Sequence, residues 1–360
     1  MPMKLYATLN NPPPPGAVVS AITTKDGIAL RVARWTAGPT SRGTVVVLPG
    51  RAEFIEKYFE TVGELLERRF DVVVMDWRGQ GLSQRQLSNR SKGHIDDFDI
   101  YQLDLAALAD NVLGPFCSKP WFALGHSMAG AILIAQAHAG CSPFARIVMT
   151  APMIAVAELR LKKAAELLAE GLDILGFGGA YIPGGGNMPI YLRPFAGNPL
   201  TSSEARYRRT AAIIRAAPDV AIGHPTVGWT NAAFHLMRQF EDADYPRRTL
   251  TPILVIAAGA DRIVSTPATE SFASRLKVGK IITLPYARHE ILMEHDQFRA
   301  QFWAAFDGFI PGLDDRLAQS VTAAMNAPRR KTRRFWPWQS AAAQNIIAHA
   351  RRKFSMKIKP

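Results

Sequence analysis

The segment Gly125–Gly130 reads Gly-His-Ser-Met-Ala-Gly and carries a strong local signal for chemistry. Ser127 lies between a predicted strand and a predicted helix, and small residues occupy the positions two before and two after it, Gly125 and Ala129. A serine at such a sharp turn needs small neighbours, because larger side chains would collide with backbone. The pattern predicts a nucleophile elbow with Ser127 as nucleophile. The alternative, a serine that only caps a helix, leaves the small neighbours unexplained.

A serine hydroxyl needs a base to remove its proton, and the base needs a carboxylate to orient it. His289 is the candidate base, because it follows the predicted strand Ile281–Leu284 by a short loop. The other seven histidines lie before the elbow or next to it, in the middle of the chain, at the start of the last predicted helix or in the tail. The alternative for His289 is an ordinary loop imidazole.

Asp261 is the candidate orienting acid, because it follows the predicted strand Ile253–Ala257 in the corresponding loop one unit earlier. The order serine, acid, histidine is the one expected when a serine nucleophile sits on a strand-to-helix elbow. The alternative for Asp261 is a turn or helix-capping aspartate. Glu290 and Asp244 are the reserve acids.

Acyl transfer also needs donors for the oxyanion of the tetrahedral intermediate, each contributing roughly 3 to 4 kcal/mol. The residue after the nucleophile, Met128, supplies one backbone N–H. The loop Pro49–Glu53 leaves the predicted strand Thr44–Leu48 where a second donor is needed, and we assign that donor to the N–H of Arg51. The alternative is an ordinary glycine turn. This chemistry requires no cofactor and no metal, and neither is predicted.

The elements that must position these residues are short apolar runs that alternate with helical patterns. Such alternation is typical of parallel strands covered by crossover helices on both faces. Residues 22–35, which surround Lys25-Asp26-Gly27, predict an antiparallel hairpin at one edge. Six further strands are predicted at Thr44–Leu48, Val72–Met75, Trp121–Leu124, Ile147–Thr150, Ile253–Ala257 and Ile281–Leu284.

The alternation stops between residues 157 and 245, where the chain is helical or irregular. Thr201 and Glu204 predict a capping box there. A final helix carries a stripe of phenylalanines. The predicted organisation is an extended lead-in at 1–20, an α/β core at 21–156 and 246–312, a helical insertion at 157–245, and a basic tail at 313–360.

Composition favours an ordinary globular enzyme body. The chain has 360 residues, 48% of them hydrophobic, and a formal charge of +13. Ten lysines and arginines, with no acidic residue among them, lie beyond Pro328. The rest of the chain therefore has a formal charge of +3. No nucleic-acid partner is therefore expected. The two cysteines and the lack of a secretory leader or a long apolar span predict a cytoplasmic location.

Four segments together resemble the bacterial lysophospholipase and monoacylglycerol lipase group of α/β hydrolases, and the resemblance spans about residues 22–311. They are Asp76–Ser83, His94–Phe98, Gly125–Gly130 and Arg288–Leu292. The resemblance implies the α/β-hydrolase fold, with a mostly parallel sheet flanked by helices. It also implies a helical cap that holds an acyl chain, for which 157–245 is the matching insertion.

Two positions depart from the family pattern. Pro49-Gly50 stands where the family usually has histidine-glycine, and Ala129 replaces a common glycine. The first departure changes the detail of the oxyanion loop but leaves its backbone donors. Residues 225–229 resemble a recurring cap segment, so Trp229 is the candidate wall of the acyl pocket, with plain cap packing as the alternative.

The expected function is hydrolysis of a lipid-like carboxylic ester, a lysophospholipid or a monoacylglycerol, through an acyl-enzyme. The alternatives are an esterase, lactonase or other α/β hydrolase of a small soluble substrate, because relatives of this fold share one triad across many reactions. A further alternative is a non-catalytic protein bound peripherally to the inner membrane surface. Its basic tail includes Phe335, Trp336 and Trp338, which suit an anionic interface.

Overall fold

An eight-stranded sheet forms the centre of the computed structural model, which describes residues 4–157 and 162–310. The strands are β1 (Val18–Thr23), β2 (Ala29–Trp35), β3 (Thr44–Leu48), β4 (Asp71–Met75), β5 (Trp121–His126), β6 (Arg146–Thr150), β7 (Ile253–Ala258) and β8 (Gly279–Leu284). Their order in space is β1-β2-β4-β3-β5-β6-β7-β8. β2 is antiparallel to β1 and to β4, and the remaining pairs are parallel. The predicted mostly parallel sheet is confirmed.

The central strands form because their apolar residues are buried on both faces. Every residue of β3, β4, β5 and β7 is buried, as expected for strands covered by helices on each side. The six predicted parallel strands are all present. The hairpin was predicted to start at Ile22, but β1 begins four residues earlier, at Val18.

Helices alternate with the strands and also form much of the insertion between β6 and β7. They are α1 (Phe59–Glu67), α2 (Tyr101–Leu108), α3 (Gly114–Phe116), α4 (Met128–His138), α5 (Lys162–Leu172), α6 (Glu204–Ala216), α7 (Val227–Gln239), α8 (Tyr245–Arg248), α9 (Thr266–Ala273) and α10 (Asp296–Phe309). The predicted phenylalanine stripe lies on α10, where Phe298, Phe302 and Phe306 are buried. Within the described ranges, no helix is both long enough and apolar enough to cross a bilayer.

The chain between β6 and β7 holds α5 to α8 and irregular segments. Phe54 and Leu82 pack with Tyr191, Leu200 and other apolar residues of this stretch in a second, smaller apolar cluster. This cluster joins the insertion to the loops at the carboxyl edge of the sheet.

The predicted capping box at Thr201 is wrong by two residues. α6 begins at Glu204, and its N-cap is Ser203, whose side chain accepts a hydrogen bond from the N–H of Arg206. The Thr201 hydroxyl instead donates to the carbonyl of Met293, 2.7 Å away. The Thr201 hydroxyl also accepts a hydrogen bond from the N–H of Ser203, so it is engaged outside the helix terminus. The predicted basic tail at 313–360 lies outside the described residues.

Candidate active site

Ser127 lies at the sharp turn between β5 and α4, with φ +50° and ψ −110°. A non-glycine residue in this region is strained, and the surrounding structure must hold it there. The Ser127 N–H donates to the carbonyl of Thr150 on β6, 3.0 Å away. A Cβ at Gly125 would lie 2.6 Å from the side chain of Leu133, which would have to move to admit a larger residue there. The local geometry is that of a nucleophile elbow.

His289 joins Ser127 to Asp261. Its Nε2 lies 3.0 Å from the Ser127 Oγ, and its Nδ1 lies 2.7 Å from the Asp261 Oδ2. Asp261 follows β7 and His289 follows β8, so the two side chains meet Ser127 at the carboxyl edge of the sheet. The structure therefore brings together the three residues that the sequence singled out.

The second carboxylate oxygen of Asp261 fixes the orientation of the group. Oδ1 accepts hydrogen bonds from the N–H of Ile263 at 2.7 Å and of Val264 at 3.0 Å. Burial opposes ionisation of Asp261, but the neighbouring His289 and these N–H groups outweigh it and hold the pKa of Asp261 below its usual value. The ionised carboxylate accepts the Nδ1–H of His289. The Nε2 is then free to accept the serine proton.

The two reserve acids are engaged elsewhere. Glu290 pairs with Lys57 at 2.8 Å and accepts a hydrogen bond from Tyr191. Asp244 is exposed and pairs with Arg247 at 3.0 Å. Geometry therefore favours Asp261 as the partner of the histidine.

The predicted oxyanion donors lie beside the nucleophile. Met128 is the first residue of α4, where a helix leaves its N–H without an intrahelical acceptor. Within the described part of the chain, neither this N–H nor that of Arg51 donates a hydrogen bond. Both residues line the cavity that also contains Ser127 and His289. These N–H groups are available to a substrate oxygen.

A buried cluster of charged side chains supports the oxyanion loop, and sequence reasoning missed it. The Glu53 carboxylate accepts hydrogen bonds from the N–H of Gly50, from the Tyr58 hydroxyl at 2.6 Å and from the Lys57 ammonium at 2.5 Å. Lys57 also reaches Glu290, next to His289. The spacing of Glu53 and Lys57, four residues apart, was the available signal. The cluster ties the loop before α1 to the loop after β8.

The ionisation of this cluster follows from its pairing. Burial disfavours charge on Glu53, but Lys57 and the hydrogen bonds outweigh it and lower the pKa of Glu53 to about 2. Burial also disfavours charge on Lys57, but Glu290 and Glu53 raise its pKa above the usual value. Burial raises the pKa of Glu290, and Lys57 offsets only part of that effect. The ammonium of Lys57 is therefore the cation of this cluster.

One group of side chains has the spacing of a metal site. Glu53, His126 and Glu290 place ligand atoms within 4.8 Å of one another. The Lys57 ammonium contacts both carboxylates, which are therefore already paired with a cation. Burial lowers the pKa of His126 to about 4, so its imidazole is neutral at neutral pH. The arrangement fits an ion-pair cluster better than a metal ligand set.

Ser127 lines a cavity of about 320 Å³, which lies at the lower end of the range for ligand pockets. Trp229 on α7 lines it and packs edge-on against Phe98, with ring centroids 5.5 Å apart. Trp229 therefore lies between the cavity and a ring outside the insertion, and its part in an acyl pocket stays a prediction. Much of the lining is apolar and includes Met153, Ile222, Phe234, Met237, Ile263 and Val264.

Asp76 and Arg78 shape the loops and lie outside this cavity. Asp76 accepts hydrogen bonds from Arg31 and from the N–H groups of Ile55 and Leu82. Arg78 pairs with Asp104 at 2.7 Å and with Asp26 at 2.6 Å. Both residues act through hydrogen bonds that hold the backbone around the site.

This sheet, with a serine on the elbow after β5 and a histidine after β8, defines a serine hydrolase of the α/β-hydrolase fold. The family model described as serine aminopeptidase, S33, matches residues 39–296. The chain belongs to this family.

Similar proteins agree with the assignment. Lysophospholipase L2 of Escherichia coli K12 is 32% identical over 291 residues, which cover 76% of this chain and 82% of the relative. A probable lysophospholipase L2 of Haemophilus influenzae is 27% identical over 270 residues, covering 75% of this chain and 84% of the relative. The family and these relatives identify the chain as a carboxylic ester hydrolase, and the predicted enzyme class is confirmed.

Solved structures show the same fold. Monoglyceride lipase from Saccharomyces cerevisiae has a TM-score of 0.64 at 17% identity, and the match covers 85% of this chain and 98% of that one. A carboxyl esterase from Bacillus coagulans has a TM-score of 0.63 at 16% identity, covering 82% and 99%. At such identities the likeness supports the fold alone. The predicted α/β-hydrolase fold is confirmed.

Proposed function

We propose that this protein cleaves the carboxylic ester of a lipid-like substrate, a lysophospholipid or a monoacylglycerol, through an acyl-enzyme on Ser127. The observation that carries the proposal is the hydrogen-bonded chain Ser127–His289–Asp261, which opens onto an apolar cavity. The similar proteins named as lysophospholipases add support.

The reaction follows from the positions of the atoms. His289 Nε2 takes the Ser127 proton while Oγ attacks the ester carbonyl carbon. The charge that develops on the carbonyl oxygen is stabilised by the N–H groups of Met128 and Arg51. His289 then gives its proton to the leaving glycerol oxygen as the ester bond breaks. Asp261 stays ionised and stabilises the imidazolium. Water, deprotonated by His289, releases the fatty acid in the same way.

The insertion supports a lipid substrate. We assign residues 157–245 as a cap that holds the acyl chain, with Trp229 as part of the pocket wall. The segment 167–188 exposes large apolar side chains, with Leu167, Ile174 and Leu175 each at least 69% exposed. Grouped exposed apolar side chains are typical of surfaces that meet lipid or another apolar partner. The cap and the cavity therefore suit a substrate held in a lipid aggregate.

An aminopeptidase reaction, named in the family description, is less well supported. Recognition of a free amino terminus needs an unpaired carboxylate near the nucleophile. The carboxylates that line the cavity, Glu53 and Glu290, both contact the Lys57 ammonium. A positively charged substrate amine would have to compete with Lys57 for these carboxylates, so we favour an ester over a peptide.

The experiment is covalent labelling and a substrate profile. A fluorophosphonate probe should label the wild-type protein and not Ser127→Ala, whose turnover should fall by about 10⁶-fold, as seen for other serine nucleophiles. Initial rates on lysophospholipids, monoacylglycerols and short soluble esters then identify the substrate. Labelling that persists in Ser127→Ala, or a higher kcat/KM for short esters than for lipids, would contradict the proposal.

We also propose that the basic tail attaches the enzyme to an anionic membrane surface. Each cation near such a surface contributes about 1 kcal/mol, and residues 329–359 include ten. Sedimentation with phosphatidylglycerol-containing vesicles compares the full chain with one that ends at Ala327. Full-length protein should sediment more strongly at low salt. Equal sedimentation of the two proteins would exclude this role for the tail.

A further inference from the structure

We propose that the guanidinium of Arg51 binds the phosphate of the substrate head group, so that the site selects phosphate-bearing lysolipids over neutral monoacylglycerols. This inference rests on the lipid-ester function proposed above. In this proposal Arg51 acts twice: its backbone N–H donates to the developing oxyanion, and its side chain binds the head group.

The side chain of Arg51 is partly buried without a counter-ion. Its Nη2 donates to the carbonyl of Gly223 at 3.0 Å, and its Cζ lies 5.1 Å from the centre of the Trp229 ring. Its Nε is buried without a hydrogen-bond partner. Among the described residues, no carboxylate lies within ion-pair distance of this guanidinium. The guanidinium is therefore a cation without a carboxylate partner on a residue that lines the cavity, and part of its hydrogen-bonding capacity is unused.

The buried guanidiniums of Arg31 and Arg78, unlike that of Arg51, have carboxylate partners. Arg31 pairs with Glu56 and Asp76, and Arg78 pairs with Asp104 and Asp26. Removing a charge from water is costly unless an opposite charge compensates. Burial lowers the pKa of Arg51 to about 10, which still leaves it charged at neutral pH. An anionic ligand would supply the missing compensation.

The rest of the cavity does not provide that anion. The carboxylates of Glu53 and Glu290 line the cavity, but their oxygens accept hydrogen bonds from Lys57, Tyr58, Tyr191 and the Gly50 N–H. On the exposed side, Arg193 lines the same cavity and adds a second guanidinium, which lies 2.8 Å from the His224 ring. Among the described residues that line the cavity, the guanidiniums of Arg51 and Arg193 are therefore cations without a carboxylate partner.

The covalent spacing of a lysophospholipid matches the reach of Arg51. Six bonds separate the ester carbonyl carbon from the phosphorus, roughly 7 Å when extended, because each bond advances an extended chain by about 1.2 Å. Five bonds separate the Arg51 Cα from its Cζ, roughly 6 Å on the same basis. A carbonyl oxygen held at the Arg51 N–H thus leaves the phosphate within reach of the guanidinium. Guanidinium binds phosphate through two parallel hydrogen bonds.

The test compares three substrates with one acyl chain: 1-palmitoylglycerol, 1-palmitoylglycerol 3-phosphate and 1-palmitoylglycerophosphocholine, each in mixed micelles of a neutral detergent. Loss of a hydrogen bond to a charged group corresponds to about 10- to 100-fold. In Arg51→Gln, the ratio of kcat/KM for each phosphate-bearing substrate to that for 1-palmitoylglycerol should fall by this factor. Arg51→Lys should retain part of the preference, because it keeps the charge but not the paired donors.

Arg208→Gln is the matched control. Arg208 is an exposed residue of α6 that pairs with Glu204 and lies outside the active-site cavity. Arg208→Gln removes the same charge from the protein as Arg51→Gln does. Its ratio of kcat/KM for phosphate-bearing substrates to that for 1-palmitoylglycerol should equal that of the wild type. Thermal melting of each variant checks that the fold is retained.

Two outcomes separate the two proposals. If the wild type hydrolyses all three lipids but Arg51→Gln leaves the ratio unchanged, the phosphate site is wrong and the esterase function stands. If the wild type hydrolyses none of them and is not labelled by a fluorophosphonate, the proposed function itself fails. Glycerol 3-phosphate should also inhibit p-nitrophenyl butyrate hydrolysis in the wild type more than in Arg51→Gln. If inorganic phosphate inhibited the wild type as strongly as glycerol 3-phosphate does, recognition of a head group would be contradicted.

Discussion

Substitution of Asp261 by asparagine tests whether His289 acts as the base, because the structure fixes what the new amide can do. Asp261 Oδ1 accepts hydrogen bonds from the N–H groups of Ile263 and Val264. The amide oxygen of asparagine must keep that place, since an NH₂ group there would leave two N–H donors without an acceptor. The NH₂ group therefore faces the Nδ1 of His289.

The expected decrease in kcat follows from the tautomer that His289 adopts in Asp261→Asn. An NH₂ donor at Nδ1 forces that nitrogen to accept, which places the imidazole proton on Nε2, 3.0 Å from the Ser127 Oγ. Nε2 can then no longer take the serine proton. Loss of the correct tautomer costs about 10⁴-fold in kcat in the serine protease triad, which corresponds to about 5 kcal/mol of transition-state stabilisation. We expect a decrease of that order in Asp261→Asn.

The assay is the initial rate of ester hydrolysis together with the rate of fluorophosphonate labelling, measured at neutral pH on variants of equal melting behaviour. Asp244→Asn is the matched control, because Asp244 is exposed and pairs only with Arg247 among the ion pairs of the described residues. It should change the rate by less than about twofold. An Asp261→Asn enzyme that kept more than about a tenth of the wild-type rate would refute the tautomer argument.

Two further predictions concern stability. The first concerns Glu53 and Glu60, where burial opposes charge but neighbouring cations outweigh it and lower both pKa values to about 2, from 4.5. The folded state should therefore lose stability as pH falls from about 5 towards 2. A melting temperature that stays constant between pH 6 and 3 would contradict this. The second prediction concerns Gly81, where φ is +57° and an added Cβ would lie 2.0 Å from the Asp76 carboxyl group. Gly81→Ala should therefore lower the free energy of unfolding, measured with denaturant, by about 2 kcal/mol or more. The control is Gly16→Ala, whose Cβ meets no atom within 4 Å and which should cost about 1 kcal/mol.

The three residues of the candidate triad could be predicted because each carries a local signal. Small residues flank Ser127, and Asp261 and His289 each follow a short apolar strand in the expected order. Parallel strands place their carboxyl ends at one edge, so chain order alone predicts proximity. Their catalytic roles, and the oxyanion donors Arg51 and Met128, stay predictions that the variants above test.

The buried charges could not be predicted in the same way. Lys57 and Glu290 are 233 positions apart, and they meet only because the loop after β3 and the loop after β8 share one sheet edge. Thr201 has the local signature of a helix cap, yet its hydroxyl is drawn to Met293 by packing. Such pairings depend on the relative placement of distant loops, which no short stretch of sequence encodes.

Sequence by itself determined the candidate nucleophile, the strand order along the chain and the chemical class, since these follow from local periodicity and local turn geometry. Tertiary structure decided which of three acids faces His289, how Glu53 and Lys57 are charged, and that Arg51 has no counter-ion. Those properties depend on burial and on atoms brought together from distant segments, because an ionic interaction is set by distance and local solvent, and the fold alone fixes both.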